Sequence, residues 1–176
     1  MPSPTISSIT GFDHRVVVGM AELVVSNNPS VTLATYSLGS CLGISIFDPV
    51  AHVGGLLHIM LPESSVSPDK ARTQPGMFLD TGLPKLFKSA YEMRLDKHRA
   101  IICVAGGAQI MDDKGFFNIG QRNRAALVAL LQQHGLRIAA EDVGGMVNRT
   151  MYLKLATGEV RLKVSGQATE TTLWKP

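Results

Sequence analysis

The stretch Cys41–Leu61, CLGISIFDPVAHVGGLLHIML, decides the fold. At its middle, Asp48-Pro49-Val50-Ala51 has the form of a type I turn, with Asp in the first position and Pro in the second. Apolar, β-prone runs flank it, Cys41–Phe47 before and Val53–Leu61 after, the second ended by Pro62. The expectation is a β-hairpin, and its register matters for chemistry. A two-residue loop at Pro49-Val50 puts Cys41 directly opposite His58, with Cβ atoms about 5 Å apart. A four-residue loop shifts the register but keeps both on one face, whereas an odd-length loop sends them to opposite faces.

Working outward, Val31–Tyr36 reads as a strand that reaches Cys41 through Ser37-Leu38-Gly39-Ser40. Before it, Val16–Val25 reads as a strand that Met20-Ala21-Glu22 could interrupt, with a turn at Asn27-Asn28-Pro29. Downstream, residues 63–76 are polar and Pro/Ser-containing and read as a loop. A helix is expected over 81–94, with Leu83, Leu86, Phe87, Ala90 and Tyr91 on one face and Pro84 tolerated in its first turn. Ala100–Ala105 has the form of a buried strand closed by Gly106-Gly107. A second helix over 121–134 aligns Leu127, Leu130, Leu131 and His134, and Gly135 is placed to end it. Leu136–Ala140 reads as a strand, and Thr150–Leu155 with Glu159–Val164 as a hairpin around Thr157-Gly158.

This tally favours an α/β protein of α+β character, a layered sandwich of mixed, mostly antiparallel strands with two main helices. A doubly wound parallel sheet would need regular strand–helix alternation, which is missing. The chain divides into a flexible N-terminal tail (1–13), one domain (14–170) and a C-terminal tail (171–176).

Composition sets bounds on function. The 176 residues are 45% hydrophobic and 18% charged, which describes a globular chain with a real core. The 17 Lys+Arg and 14 Asp+Glu leave a formal charge of +3, with no basic cluster to follow a phosphate backbone, so nucleic-acid binding is not expected. Met1–Gly11 is rich in Ser, Thr and Pro and lacks the form of a signal peptide. No apolar run approaches the ~20 residues of a membrane helix, and membrane insertion is not expected. Without secretion, the glycosylation-type triplet Asn148-Arg149-Thr150 has no meaning. Cys41 and Cys103 cannot make a disulfide framework and read as free thiols of a cytoplasmic protein.

Cys41 is the candidate nucleophile. A lone Cys beside Leu and Ile is ordinarily a small core residue. Two features weigh against that here. Gly39 permits a backbone shape in which the Ser40 and Cys41 N–H groups face a developing oxyanion. His58, which the hairpin brings to the same face, can take the thiol proton and form a thiolate–imidazolium pair. A third group should orient the ring. Thr35 on the preceding strand is one candidate among several, since a β-branched residue is also simply what strands use.

The remaining candidates are weaker. Cys103 lies within Ile101-Ile102-Cys103-Val104 and reads as core, while His14, His52 and His98 read as solvated. No metal-ligand spacing occurs, and neither a metal nor a cofactor is expected. Ala105-Gly106-Gly107-Ala108 lacks the Lys-Ser/Thr of a phosphate loop and reads as a tight strand exit; Asp112-Asp113 reads as a solvated turn pair.

Thr35-Tyr36-Ser37-Leu38-Gly39-Ser40-Cys41 and Leu57-His58-Ile59-Met60-Leu61-Pro62 resemble the nucleophile and histidine motifs of the CheD chemoreceptor glutamine deamidases. Asp48-Pro49, Ala105-Gly106-Gly107-Ala108, Asn118-Ile119-Gly120 with Arg122-Asn123, Glu141-Asp142 with Gly144-Gly145, and Thr157-Gly158 extend the resemblance over about residues 15–165. The chain departs from the family pattern at Phe78-Leu79-Asp80 and at Met146-Val147, away from these motifs. The resemblance implies a Cys–His–Thr triad of Cys41, His58 and Thr35, with substrate binding at Gly39 and Ser40. It also implies a sandwich similar to that of deamidating bacterial toxins. The implied substrates are glutamines on the cytoplasmic helices of chemotaxis receptors. Some members also hydrolyse methylated glutamate, and in many species a CheC-type phosphatase is a partner. Two rival expectations stand beside this one: a non-catalytic adaptor that binds a CheC-type phosphatase or receptors, and a Cys41–Cys103 redox switch.

Overall fold

The computed structural model describes residues 14–110, 112 and 114–176; the expected N-terminal tail, residues 1–13, lies outside them. Among the described residues, ten strands form two five-stranded mixed sheets. One holds β1 (His14–Val17), β3 (Val31–Leu38), β8 (Arg149–Lys154), β9 (Val160–Val164) and β10 (Thr171–Trp174), in that order. The other holds β2 (Leu23–Ser26), β5 (Val53–Ile59), β4 (Leu42–Asp48), β6 (Ile101–Gly106) and β7 (Ala140–Val143). Each sheet contains one parallel pair, β1–β3 and β6–β7, and is otherwise antiparallel. The fold is the expected layered α/β sandwich with two main helices, α2 (Leu79–Glu92) and α3 (Ile119–Gln133).

The apolar patterning follows from the layers. The β2–β7 sheet is the middle layer. Helices α2 and α3 cover one of its faces through Leu83, Leu86, Phe87, Leu127 and Leu131, packed with Ile44, Ile46, Leu57 and Ile59. Its other face packs on the first sheet through Leu33, Leu38, Phe47, Leu56, Cys103, Met151 and Leu153. Every residue of β4 and β5 is therefore buried, and the sequence there is apolar apart from Ser45, Asp48 and His58. By contrast β9, VRLKV, alternates buried and exposed because one face of its sheet meets water.

Several boundaries differ from expectation, each for a local reason. Val16–Val25 is broken by a turn in which Ala21 adopts φ 63°, so its halves join different sheets. The polar segment after Pro62 contains a short helix, α1 (Pro68–Thr73), whose Pro sits in the first turn and is followed by Asp69. Helix α2 starts earlier than expected, at Leu79, which leaves Pro84 inside the helix rather than in its first turn. Residues 136–139 are not a strand; pairing with β6 begins at Ala140. Thr171–Trp174, assigned from the sequence to a C-terminal tail, pairs with β9 as an edge strand, in keeping with its β-prone Thr-Thr-Leu-Trp.

Candidate active site

The β4–β5 hairpin has the four-residue loop Pro49–His52, not the two-residue one: Asp48 pairs with Val53, and His58 faces Gly43. Asp48 holds the turn as expected, its Oδ1 accepting the Val50 and Ala51 N–H groups at 2.9 and 3.1 Å. It also accepts from Arg99 Nη2 at 2.7 Å while fully buried. Cys41 lies just before β4, one two-residue step along the strand from the residue opposite His58. The loop length is even, so the hairpin keeps Cys41 and His58 on one side.

That side is the space between the sheets. β3 belongs to one sheet and β4 to the other, so Gly39-Ser40-Cys41 crosses from layer to layer. Ser37 at φ 58° turns the chain, beside a register shift between Thr35 and Leu38 in the β3–β8 pairing. Cys41 emerges half-buried, packed at the edge of the intersheet core and lining a cleft of about 550 Å³. Gly39, Ser40, Gln109, Ile110, Phe117 and Asn148 also line it.

Thr35, fully buried on β3, reaches across the layers to His58, which is 1% exposed. Its Oγ1 is 2.7 Å from the Val18 carbonyl oxygen and 2.7 Å from His58 Nδ1. A hydroxyl has one proton, and the carbonyl can only accept it. Nδ1 must therefore donate to Thr35, which leaves Nε2 as the unprotonated nitrogen. Nε2 is buried and has no hydrogen-bond partner among the described residues. Gly43, opposite His58, makes this approach feasible. A Cβ there would lie 2.9 Å from Leu38 and 3.2 Å from Thr35 Cγ2, space those side chains already occupy.

The electrostatics correct one expectation. Burial pushes the Cys41 thiol above its ordinary value, only partly opposed by its own N–H. Burial also pulls His58 from 6.5 down to about 4. Both shifts favour the neutral forms, so the resting pair is thiol and imidazole rather than thiolate and imidazolium. No hydrogen bond joins Cys41 to His58 in this resting arrangement. Two consequences are measurable at pH 7: no thiolate absorbance, and iodoacetamide alkylation of Cys41 no faster than that of a free cysteine, speeding up only at alkaline pH. A fast rate, flat with pH across neutrality, would mean a preformed ion pair.

The other sequence candidates stay apart from the cleft. Cys103 is fully buried, and burial raises its thiol to about 12. Its strand neighbours β4, but Cys103 pairs with Ser45, four residues along from Cys41. Four residues of strand span roughly 13 Å, beyond the reach of a disulfide, which rules out the redox switch in this fold. His14, His52 and His98 are exposed.

Sequence reasoning missed the cleft's supports. Asp112 does start a turn, its carbonyl accepting the Gly115 N–H at 2.9 Å, but its half-buried carboxylate also accepts the N–H groups of Phe116, Phe117 and Asn118 and so shapes one wall. Its expected partner, Asp113, lies outside the described residues. Gly106 and Gly107 adopt φ 111° and 62°, and a Cβ on Gly106 would sit 2.2 Å from the Cys41 carbonyl oxygen. Asn123 on α3 is fully buried and donates to the Ser40 and Met60 carbonyls at 3.1 and 3.0 Å. Its signal was present, because Asn123 shares a helical face with Leu127 and Leu131, where a polar residue needs a buried partner.

Comparison with known proteins adds the lineage. A family model described as CheD chemotactic sensory transduction matches residues 60–164. A protein of Syntrophus aciditrophicus named probable chemoreceptor glutamine deamidase CheD 1 is 48% identical, over 86% of this chain and 94% of its own. Proteins named probable chemoreceptor glutamine deamidase CheD are 43% identical in Solibacter usitatus (89% of this chain, 93% of its own) and 38% in Pyrococcus abyssi (89% and 97%). No helix among the described residues is long and apolar enough to cross a membrane.

Proposed function

The chain belongs to the CheD family, and on that footing we propose that it deamidates glutamine side chains of chemoreceptors to glutamate through a thioester on Cys41. Relatives that bear the deamidase name support the reaction. The observation in this chain that carries it is His58: a buried, neutral imidazole whose Nδ1 proton is committed to Thr35 and whose Nε2 lone pair is unclaimed among the described residues.

Such a nitrogen is a base waiting for a proton. As Cys41 Sγ attacks the amide carbon, its proton passes to His58 Nε2 and the carbonyl electron pair moves onto oxygen. The Ser40 and Cys41 N–H groups stabilise that oxygen; no carbonyl takes either of them among the described residues. Collapse breaks the carbon–nitrogen bond, the imidazolium proton goes to the nitrogen, and ammonia leaves. Water then attacks the thioester while His58 takes its proton, and the carbon–sulfur bond breaks to give glutamate and the Cys41 thiol. A methyl ester would enter the same thioester with methanol as leaving group, which makes methylesterase activity a second use of the site. Thr35 fixes the ring without adding negative charge, a weaker aid to the imidazolium than a carboxylate.

In this reading residues 14–170, extended by the edge strand Thr171–Trp174, form one catalytic domain that works in the cytoplasm on the cytoplasmic helices of receptors, with a CheC-type phosphatase as partner. The test is mass spectrometry of a receptor cytoplasmic fragment after incubation with the enzyme. Discrete glutamines should each gain about one dalton, as amide becomes acid. If wild-type enzyme leaves every glutamine unchanged, the reading fails and the non-catalytic adaptor takes its place.

A further inference from the structure

We infer that Asn123 is a positioning residue that sets the oxyanion site of the nucleophile loop from behind. The inference rests on the deamidation reading. Its basis is what happens to three successive carbonyls. The Gly39 oxygen accepts the Ala108 N–H at 2.8 Å, the Ser40 oxygen accepts Asn123 Nδ2 at 3.1 Å, and the Cys41 oxygen accepts the Gly107 N–H at 2.8 Å. There are no cis peptide bonds among the described residues, so each carbonyl points opposite to the N–H of the next residue. Pinning the Gly39 and Ser40 carbonyls thereby turns the Ser40 and Cys41 N–H groups the other way and holds them there. Preorganised donors of this kind need no rearrangement as charge develops on the substrate oxygen.

Asn123 contributes the one side-chain donor in this set, and it is the donor for the peptide that carries the Cys41 N–H. Its second bond, to the Met60 carbonyl, ties the same amide to the chain two residues beyond His58. One buried side chain thus links the nucleophile loop to the exit of the base's strand. The amide orientation is fixed by these acceptors, because turning it would set its oxygen against two carbonyl oxygens. Its own Oδ1 is buried without a partner among the described residues, so the donors are satisfied and the acceptor bears the cost of burial. Gly120, one turn earlier on α3, lets the helix approach: a Cβ there would lie 2.2 Å from the Gly107 oxygen.

The test compares wild type with Asn123→Asp, which keeps the shape but not the amide donors, and with Asn123→Ala. Two rates are read at a temperature where each variant is folded by circular dichroism. One is deamidation of the receptor fragment. The other is alkylation of Cys41 by iodoacetamide, in which the sulfur–carbon bond forms as iodide leaves and no oxyanion develops. Deamidation kcat should fall about 10- to 100-fold with KM changed less than about threefold, while alkylation and its pH profile stay within about twofold of wild type. If Asn123→Asp does not fold, Asn123→Leu, of similar volume and with no donor, takes its place under the same criteria. An unchanged kcat overturns the inference, as does a parallel loss of both rates, which would mark a purely structural role. A wild-type enzyme that alkylates but never deamidates overturns the proposed function and this inference with it.

Discussion

Cys41→Ala is expected to lose about 10⁴-fold or more of the wild-type deamidation rate while remaining folded. Thioester formation needs a nucleophile in the cleft within reach of His58, and Cys103 is buried four residues along the paired strand. Ser37 and Ser40 line the cleft, but neither hydroxyl bonds to an imidazole among the described residues. What survives in the variant is the oxyanion site and substrate binding, which act on water as nucleophile. Stability should change by no more than about 1 kcal/mol, because Cys41 is half-buried outside any strand and loses a single atom. Quantitative mass spectrometry of the receptor fragment, paired with a urea titration, reads both quantities. Residual turnover within tenfold of wild type in a folded variant would remove Cys41 from the mechanism.

The second large effect is on stability, and His58 causes it. Burial lowers its folded-state value from 6.5 to about 4, so between those two pH values the unfolded chain binds a proton that the native state refuses. Stability rises with pH wherever the unfolded state binds more protons. The native fold is therefore unaffected by this group above about pH 6.5 and weakens as pH falls toward 4. At about 1.4 kcal/mol per pH unit the loss approaches about 3 kcal/mol, a large share of a small domain's stability. Replacing His58 by Gln, which takes up no proton, should flatten the stability profile over that window and abolish base catalysis together. Asp48 works lower on the scale. Burial alone would raise its carboxyl, but Arg99 and the Asp96, Ala51 and Val50 N–H groups outweigh that and hold it well below 3.8, so its contribution is lost only in stronger acid. Urea unfolding of wild type and His58→Gln at a series of pH values separates the two. An equal slope in both proteins between pH 6.5 and 4 would exonerate His58.

Much of the site was readable because the chemistry is local in sequence. A turn signal between two apolar runs marked the hairpin, and either even loop length keeps Cys41 and His58 on one side. Loop length was not fixed the same way: Asp48-Pro49 starts a turn in either register, and the choice fell to the Arg99 and Asp96 contacts that hold Asp48 from another part of the chain. Thr35 could be named only as one of several hydroxyl-bearing residues, because nothing in its strand says which sheet it joins. The C-terminal Thr171–Trp174 was read as tail for a related reason; an edge strand is defined by the neighbour it finds, here β9.

The sequence by itself thus determined most of the elements and the hairpin that can bring Cys41 and His58 to one face, since periodicity and turn residues act over a few residues. Tertiary structure decided the layering, and with it everything that crosses the layers. Thr35 meets His58 because β3 and β5 lie in facing sheets. Asn123 meets Ser40 because α3 packs beneath the crossing loop. Burial between those layers also set the protonation states, turning an expected ion pair into a neutral thiol and imidazole, because desolvation is a property of what surrounds a group and not of its place in the chain.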